Sequence, residues 1–137
     1  MNRLAFLVGL LGLAGCSFGA NVPGVAFPRY TDRDTVPAAL NEGTLVNRGG
    51  CLVLEGDANS VLLWPEQYGV VRDGELLAIL DGSRTVATVG THVVVSGGEF
   101  AETSEALQLV DALPAGCQVP PYWMVTSIEE GSIQVDS

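Results

Sequence analysis

The chain contains no lysine and a single histidine, and these scarcities remove whole classes of function. A nucleic-acid-binding domain neutralises phosphates with a basic stripe. Here the basic residues are arginines scattered at positions 3, 29, 33, 48, 72 and 84, set against 16 acids. The same balance argues against direct attraction to anionic lipid head groups. Nucleophilic catalysis needs an activated Ser or Cys with a base in reach. The one imidazole, His92, lies in a valine-rich run, where a core or face position is the default. There is no Gly-x-Ser-x-Gly elbow and no glycine loop ending in Gly-Lys-Ser/Thr. No nucleotide or other cofactor is therefore expected, and the chain reads as non-enzymatic.

Metal ligands are also sparse. Two distant cysteines and one histidine lack clustered ligand spacing, so no metal is expected. Asp32-Arg33-Asp34 and Asp57-Ala58-Asn59-Ser60 hold oxygen donors, but neither has the glycine-turned loop that calcium requires. Glycoside hydrolysis needs two carboxylates across a cleft, and nothing in the sequence singles out such a pair. A hydrolase with paired carboxylates stays as a minor alternative.

Long hydrophobic runs are missing as well. The longest uncharged apolar stretch, Leu4 to Leu13, would span roughly 15 Å as a helix, about half a bilayer core. It is too short to sit as a transmembrane anchor, but it suits an export signal. Arg3 gives the positive start, Leu4 to Leu13 the apolar middle, and small residues end it. The end, Leu13-Ala14-Gly15-Cys16, resembles the lipobox of bacterial lipoproteins. That resemblance implies cleavage before Cys16 and lipid on its thiol, with the new amine acylated too. Two or more acyl chains hold a protein stably at about 0.8 kcal/mol per buried methylene. It also implies an envelope location facing the periplasm or the surface. Ser17, where aspartate favours inner-membrane retention in the enterobacterial scheme, inclines the reading to the outer membrane. An ordinary secretory signal is the alternative.

Removing residues 1–15 leaves 122, enough for one domain. That part carries five arginines against 16 acids, a formal net charge of −11, which suits solubility outside the cytoplasm. With Cys16 assigned to lipid, Cys51 and Cys117 remain, and an isolated pair in an exported chain is expected to close.

Residues 16–41 read as a lipid-anchored flexible tether. Pro23, Pro28 and Pro37 recur there among Gly, Asn, Thr and Asp without a period of 2 or 3.6. Val25, Phe27 and Tyr30 leave open a short strand laid onto the domain. Residues 42–137 read as the domain, in which short β-type runs are broken by turn residues. The runs are Gly43 to Asn47, Cys51 to Leu54, Ser60 to Trp64, Val70-Val71, Leu76 to Leu80, Val86 to Val89, His92 to Val95 and Tyr122 to Ile128, with Ser132 to Val135 as a last edge strand. One helix is expected over Ser104 to Leu113, where Ala106, Leu107, Val110 and Leu113 recur at helical spacing before Pro114.

The stretch Val89-Gly90-Thr91-His92-Val93-Val94-Val95-Ser96-Gly97 is similar to the middle strand of many OB-type barrels, with one glycine opening the strand and another letting it bend. The fold expected is therefore mainly β, a small closed or half-closed OB-like barrel with one short helix; a β-sandwich is the alternative. Trp64, Tyr68, Tyr122 and Trp123 lie next to prolines or strand ends. They either plug the core or form a binding face for sugar rings or a partner's side chains. The functional expectation is an envelope lipoprotein whose β-domain binds or scaffolds a protein or polysaccharide. A small-ligand or oligosaccharide binder using the rim aromatics is the alternative.

Overall fold

Apolar runs bounded by glycine and Asx turns become strands, and the strands close on themselves. The computed structural model describes residues 22–31, 38–100 and 113–133, and the chain there is mainly β. In chain order the strands are β1 (Arg29–Tyr30), β2 (Ala39–Arg48), β3 (Cys51–Glu55), β4 (Asn59–Pro65), β5 (Tyr68–Asp73), β6 (Leu76–Asp81), β7 (Arg84–Thr88), β8 (His92–Phe100) and β9 (Tyr122–Glu130). Strands β4, β3, β2, β8 and β9 are neighbours in that order, each pair antiparallel. β9 then returns to β4 as a parallel pair, with Val61 opposite Tyr122 and Leu63 opposite Met124. Five strands thus form a ring, the half-closed OB-like barrel expected from the sequence. Between β4 and β8 the chain makes a separate antiparallel meander, β5-β6-β7.

Closing so few strands demands sharp local bending, and Gly97 supplies it. A bulge falls between Ser96 and Gly97, whose φ is +143°. A Cβ at Gly97 would collide with the backbone carbonyl of Met124, so glycine is required on both counts. β8 is longer than the expected run of His92 to Val95; it bends at Gly97 and continues to Phe100.

Alternation along the strands sorts side chains into two apolar layers. The inner layer fills the barrel with Leu45, Leu52, Leu54, Leu62, Trp64, Val93, Val95, Trp123 and Val125, and the meander adds Val70, Leu77, Ile79 and Ala87. The intervening residues of the same strands, Cys51, Val53, Val61, Leu63, Tyr122 and Met124, form a second cluster with Tyr30 and Cys117. β3 and β4 are therefore buried on both faces. This is why they read as unbroken apolar runs rather than alternating ones.

The flexible tether expected over 16–41 is corrected where it is described. Val22, Phe27 and Tyr30 are buried, and the ring of Phe27 stacks on Trp64 with centroids 4.8 Å apart. The Ala26 N–H donates to Gly50 O (2.7 Å), the Trp64 N–H to Pro28 O (2.9 Å), and the Tyr30 hydroxyl to Val125 O. β1 runs parallel to the end of β4. Proline does not prevent this docking, because the strand is two residues long and asks nothing of the missing N–H at Pro28. The ordered chain thus starts well before residue 42, and β2 begins at Ala39. The helix expected over Ser104 to Leu113 lies outside the described residues except at Leu113. Among those described, the helical element is one 3-10 turn, Ala115–Cys117. The edge strand expected from Ser132 is not seen at Ser132 or Ile133, and its remainder lies outside.

Candidate functional site

The aromatic residues singled out by sequence do not make a face. Trp64 is 0 % exposed, Tyr68 3 %, Tyr122 3 % and Trp123 5 %. Strand alternation turns Trp64 and Trp123 into the barrel, where Tyr68 joins them at a centroid distance of 5.9 Å from Trp64. Tyr122 points to the opposite side of β9 and into the outer cluster. The binding-face expectation is corrected accordingly: these rings pack the two layers and offer no open platform for stacking. The Trp123 indole donates to Ser96 O at 3.4 Å. Trp64 Nε1 and Ser60 Oγ are buried without a hydrogen-bond partner among the described residues.

The second and third strands of an OB-type barrel ordinarily present a ligand-binding face. Here those strands are β3 and β4, and the chain itself occupies their outer side. The segment from Ala26 to Tyr30 lies against it, and so does the described end of the β8–β9 connector, with Leu113 and Cys117 packed in. A Cys51–Cys117 disulfide (Cα–Cα 5.7 Å) staples this connector to the start of β3. The pairing agrees with the expectation from cysteine parity. Cys16 lies outside the described residues, as does Asp32-Arg33-Asp34.

Shallow surface hollows among the described residues include the following three. One, of about 410 Å³, lies between the meander and β9 and is lined by Tyr68, Asp81, Arg84, Ser127 and Glu129. Burial pushes the Tyr68 phenol above its ordinary range, and the charge of Asp81 adds to this. The Ile128 N–H and the Arg84 cation oppose them. A second hollow, of about 370 Å³, is lined by Glu42, Glu55, Asp57, His92 and Ile133. Within it the Glu42 carboxylate accepts the Ile133 N–H at 2.9 Å and stands 3.3 Å from His92 Nε2. The Ile133 hydrogen bond, then the His92 contact, hold Glu42 below the usual carboxylate range. This half-exposed pair ties the chain after β9 back to β2. No sequence signal marks it, because the partners are 50 positions apart and meet only through the β2–β8 register.

The third hollow, about 440 Å³, differs in kind. The turn at Gly24, the β2–β3 hairpin at Gly49-Gly50, and Pro114, Gly116 and Cys117 line it, and no lining residue carries a charge. Among the described residues, no group of three or more His, Cys, Asp or Glu is placed to hold a metal ion. No described helix is long and apolar enough to cross a membrane, which says nothing of strands. A scan against protein-family models, a search of curated proteins and a search of solved structures each returned no match.

Proposed function

We propose that this chain is a bacterial envelope lipoprotein, anchored through lipid on Cys16, whose β-domain has a non-catalytic binding or scaffolding role. The observation that carries it is the ordered run of Arg3, the apolar Leu4 to Leu13, and Leu13-Ala14-Gly15-Cys16. The disulfide supports it, because Cys51 and Cys117 take each other and leave Cys16 the one unpaired thiol of the chain's three. A half-closed barrel whose β3–β4 outer side is covered by its own chain also suits a rigid presenting body better than a small-molecule cleft. Its partner would be another envelope protein or a polymer, met on the acidic surface. Ser17 in place of an aspartate favours the outer membrane.

Mass spectrometry of the protein recovered from cells tests the anchor. The expected N-terminal peptide begins at Cys16 and carries diacylglycerol and an acyl chain. A Cys16→Ala chain should stay in precursor form and take up no labelled palmitate. A mature peptide starting elsewhere, or starting at Cys16 with an unmodified thiol, would sink the proposal.

A further inference from the structure

The docked N-terminal segment changes where a lipid anchor would place the domain. Cys16 precedes Val22 by six residues, and Val22 is 6 % exposed within the barrel's inner cluster. A fully extended chain covers at most about 3.3–3.6 Å per residue. The leash is therefore no longer than roughly 20 Å, less than the domain's own width, and the domain cannot hang free of the bilayer.

What lies where this leash enters is the uncharged hollow. The Val25 N–H donates to Val22 O (3.0 Å), closing a turn around Pro23 and Gly24. That turn sits on the β2–β3 hairpin, since the space at Gly50 is closed by Gly24 O. Pro23, Gly24, Gly49, Pro114, Ala115 and Gly116 are exposed there, and Val119, 59 % exposed, follows on the same connector. The adjacent cation, Arg48, is paired with Glu55.

We infer that this neutral Gly/Pro/Val rim, formed by the 22–25 turn, the 49–50 hairpin and the 114–119 connector, is the surface laid against the lipid head groups. The inference rests on the anchor proposed above. The physical reason is electrostatic. A domain with 16 acids is repelled by anionic head groups over a Debye length of about 8 Å at physiological salt. A leash this short forces one surface into that zone, and repulsion is least when that surface has no charge to desolvate. The acid-lined end of β3, at Glu55, Gly56 and Asp57, then points away from the bilayer.

The absence of lysine provides the probe. Gly116→Lys adds an amine on the rim where a side chain meets nothing within 4 Å. Ala58→Lys adds one at the exposed β3–β4 turn. Each lipid-anchored chain is coupled to an amine-directed fluorophore and placed in vesicles of phosphatidylcholine and anionic phosphatidylglycerol containing head-group spin-labelled lipid. The unsubstituted chain, which has no lysine and whose terminal amine is acylated in the anchored form, gives the background labelling. Quenching several-fold stronger at 116 than at 58 is the expected result. Equal quenching, or more at 58, in vesicle-bound protein would overturn the orientation while leaving the anchor standing. Protein that stays off the vesicles with an unmodified Cys16 would instead remove the anchor, and this inference with it.

Discussion

The two apolar layers are made from alternate residues of the same strands, yet they are closed by different means. The inner layer lies within the hydrogen-bonded ring, with the meander and Val22 and Phe27 packed against it, so side chains such as Leu62 cannot reach water without breaking the barrel. The outer layer, with Leu63 next to it in sequence, is closed by two coverings: a short N-terminal strap and a connector held by one disulfide. Both leucines are essentially fully buried. Burial alone therefore does not describe how firmly a residue is held, because the stiffness of its cover matters too.

The largest effect expected is from opening the staple. Closing a loop over a separation of 66 residues stabilises by about 4 kcal/mol in the chain-entropy model. Cys51→Ser, or reduction of the parent, should lower the melting temperature by on the order of 15 °C in calorimetry. An unchanged melt under oxidising and reducing conditions would contradict this. The comparison sharpens in the neighbouring leucines. Leu62→Ala should cost about 3–5 kcal/mol and Leu63→Ala about 2–3 kcal/mol, the outer site relaxing more around its cavity. Denaturant titrations in reductant should then leave the Leu62→Ala cost unchanged and shrink that of Leu63→Ala. Equal behaviour at both positions would dissolve the distinction between the layers.

Smaller effects probe the N-terminal strap and the surface pair. Tyr30→Phe removes the hydroxyl bond to Val125 O and should cost about 1 kcal/mol. Hydrogen exchange at Ala26 and Trp64 should rise in that variant, whereas unchanged protection would show that the strap does not depend on the bond. The smallest effect concerns Glu42, whose carboxyl titrates lower in the folded chain. Such a group stabilises above its unfolded pKa, and the benefit fades as pH falls through the folded value. Glu42→Gln should therefore be less stable than the parent at neutral pH and converge with it in acid. A gap that is constant with pH would mean the pair contributes nothing through ionisation.

The strands were legible because their ends carry local chemistry. Gly49-Gly50, Asp57-Ala58-Asn59, Arg72-Asp73-Gly74, Asp81-Gly82 and Gly90 all lie at or beside junctions between strands. The disulfide was legible from parity. What the residues could not state is which strand meets which at a distance. The parallel β4–β9 pair has no turn to announce it. The docking of Val22 to Tyr30 stood only as an open alternative on Val25, Phe27 and Tyr30, because proline-rich composition looks the same in a loose linker and in a strap pinned by Phe27 on Trp64. The aromatic ambiguity had the same root. A tryptophan beside a proline faces inward or outward according to a register that only the assembled sheet sets.

The parallel seam also dictates an order of events. Val61 pairs with Tyr122, so the cylinder cannot shut until nearly the whole polypeptide is available. Sequence-distant pairing of this sort slows folding, because the intervening loop must be gathered before the contact rewards it. A chain delivered from its N-terminus would emerge with the hairpin of β2 and β3 already able to form, and with β4 lacking its final neighbour. During that interval the apolar flank of β4 is an open edge, able to pair with another strand or a chaperone.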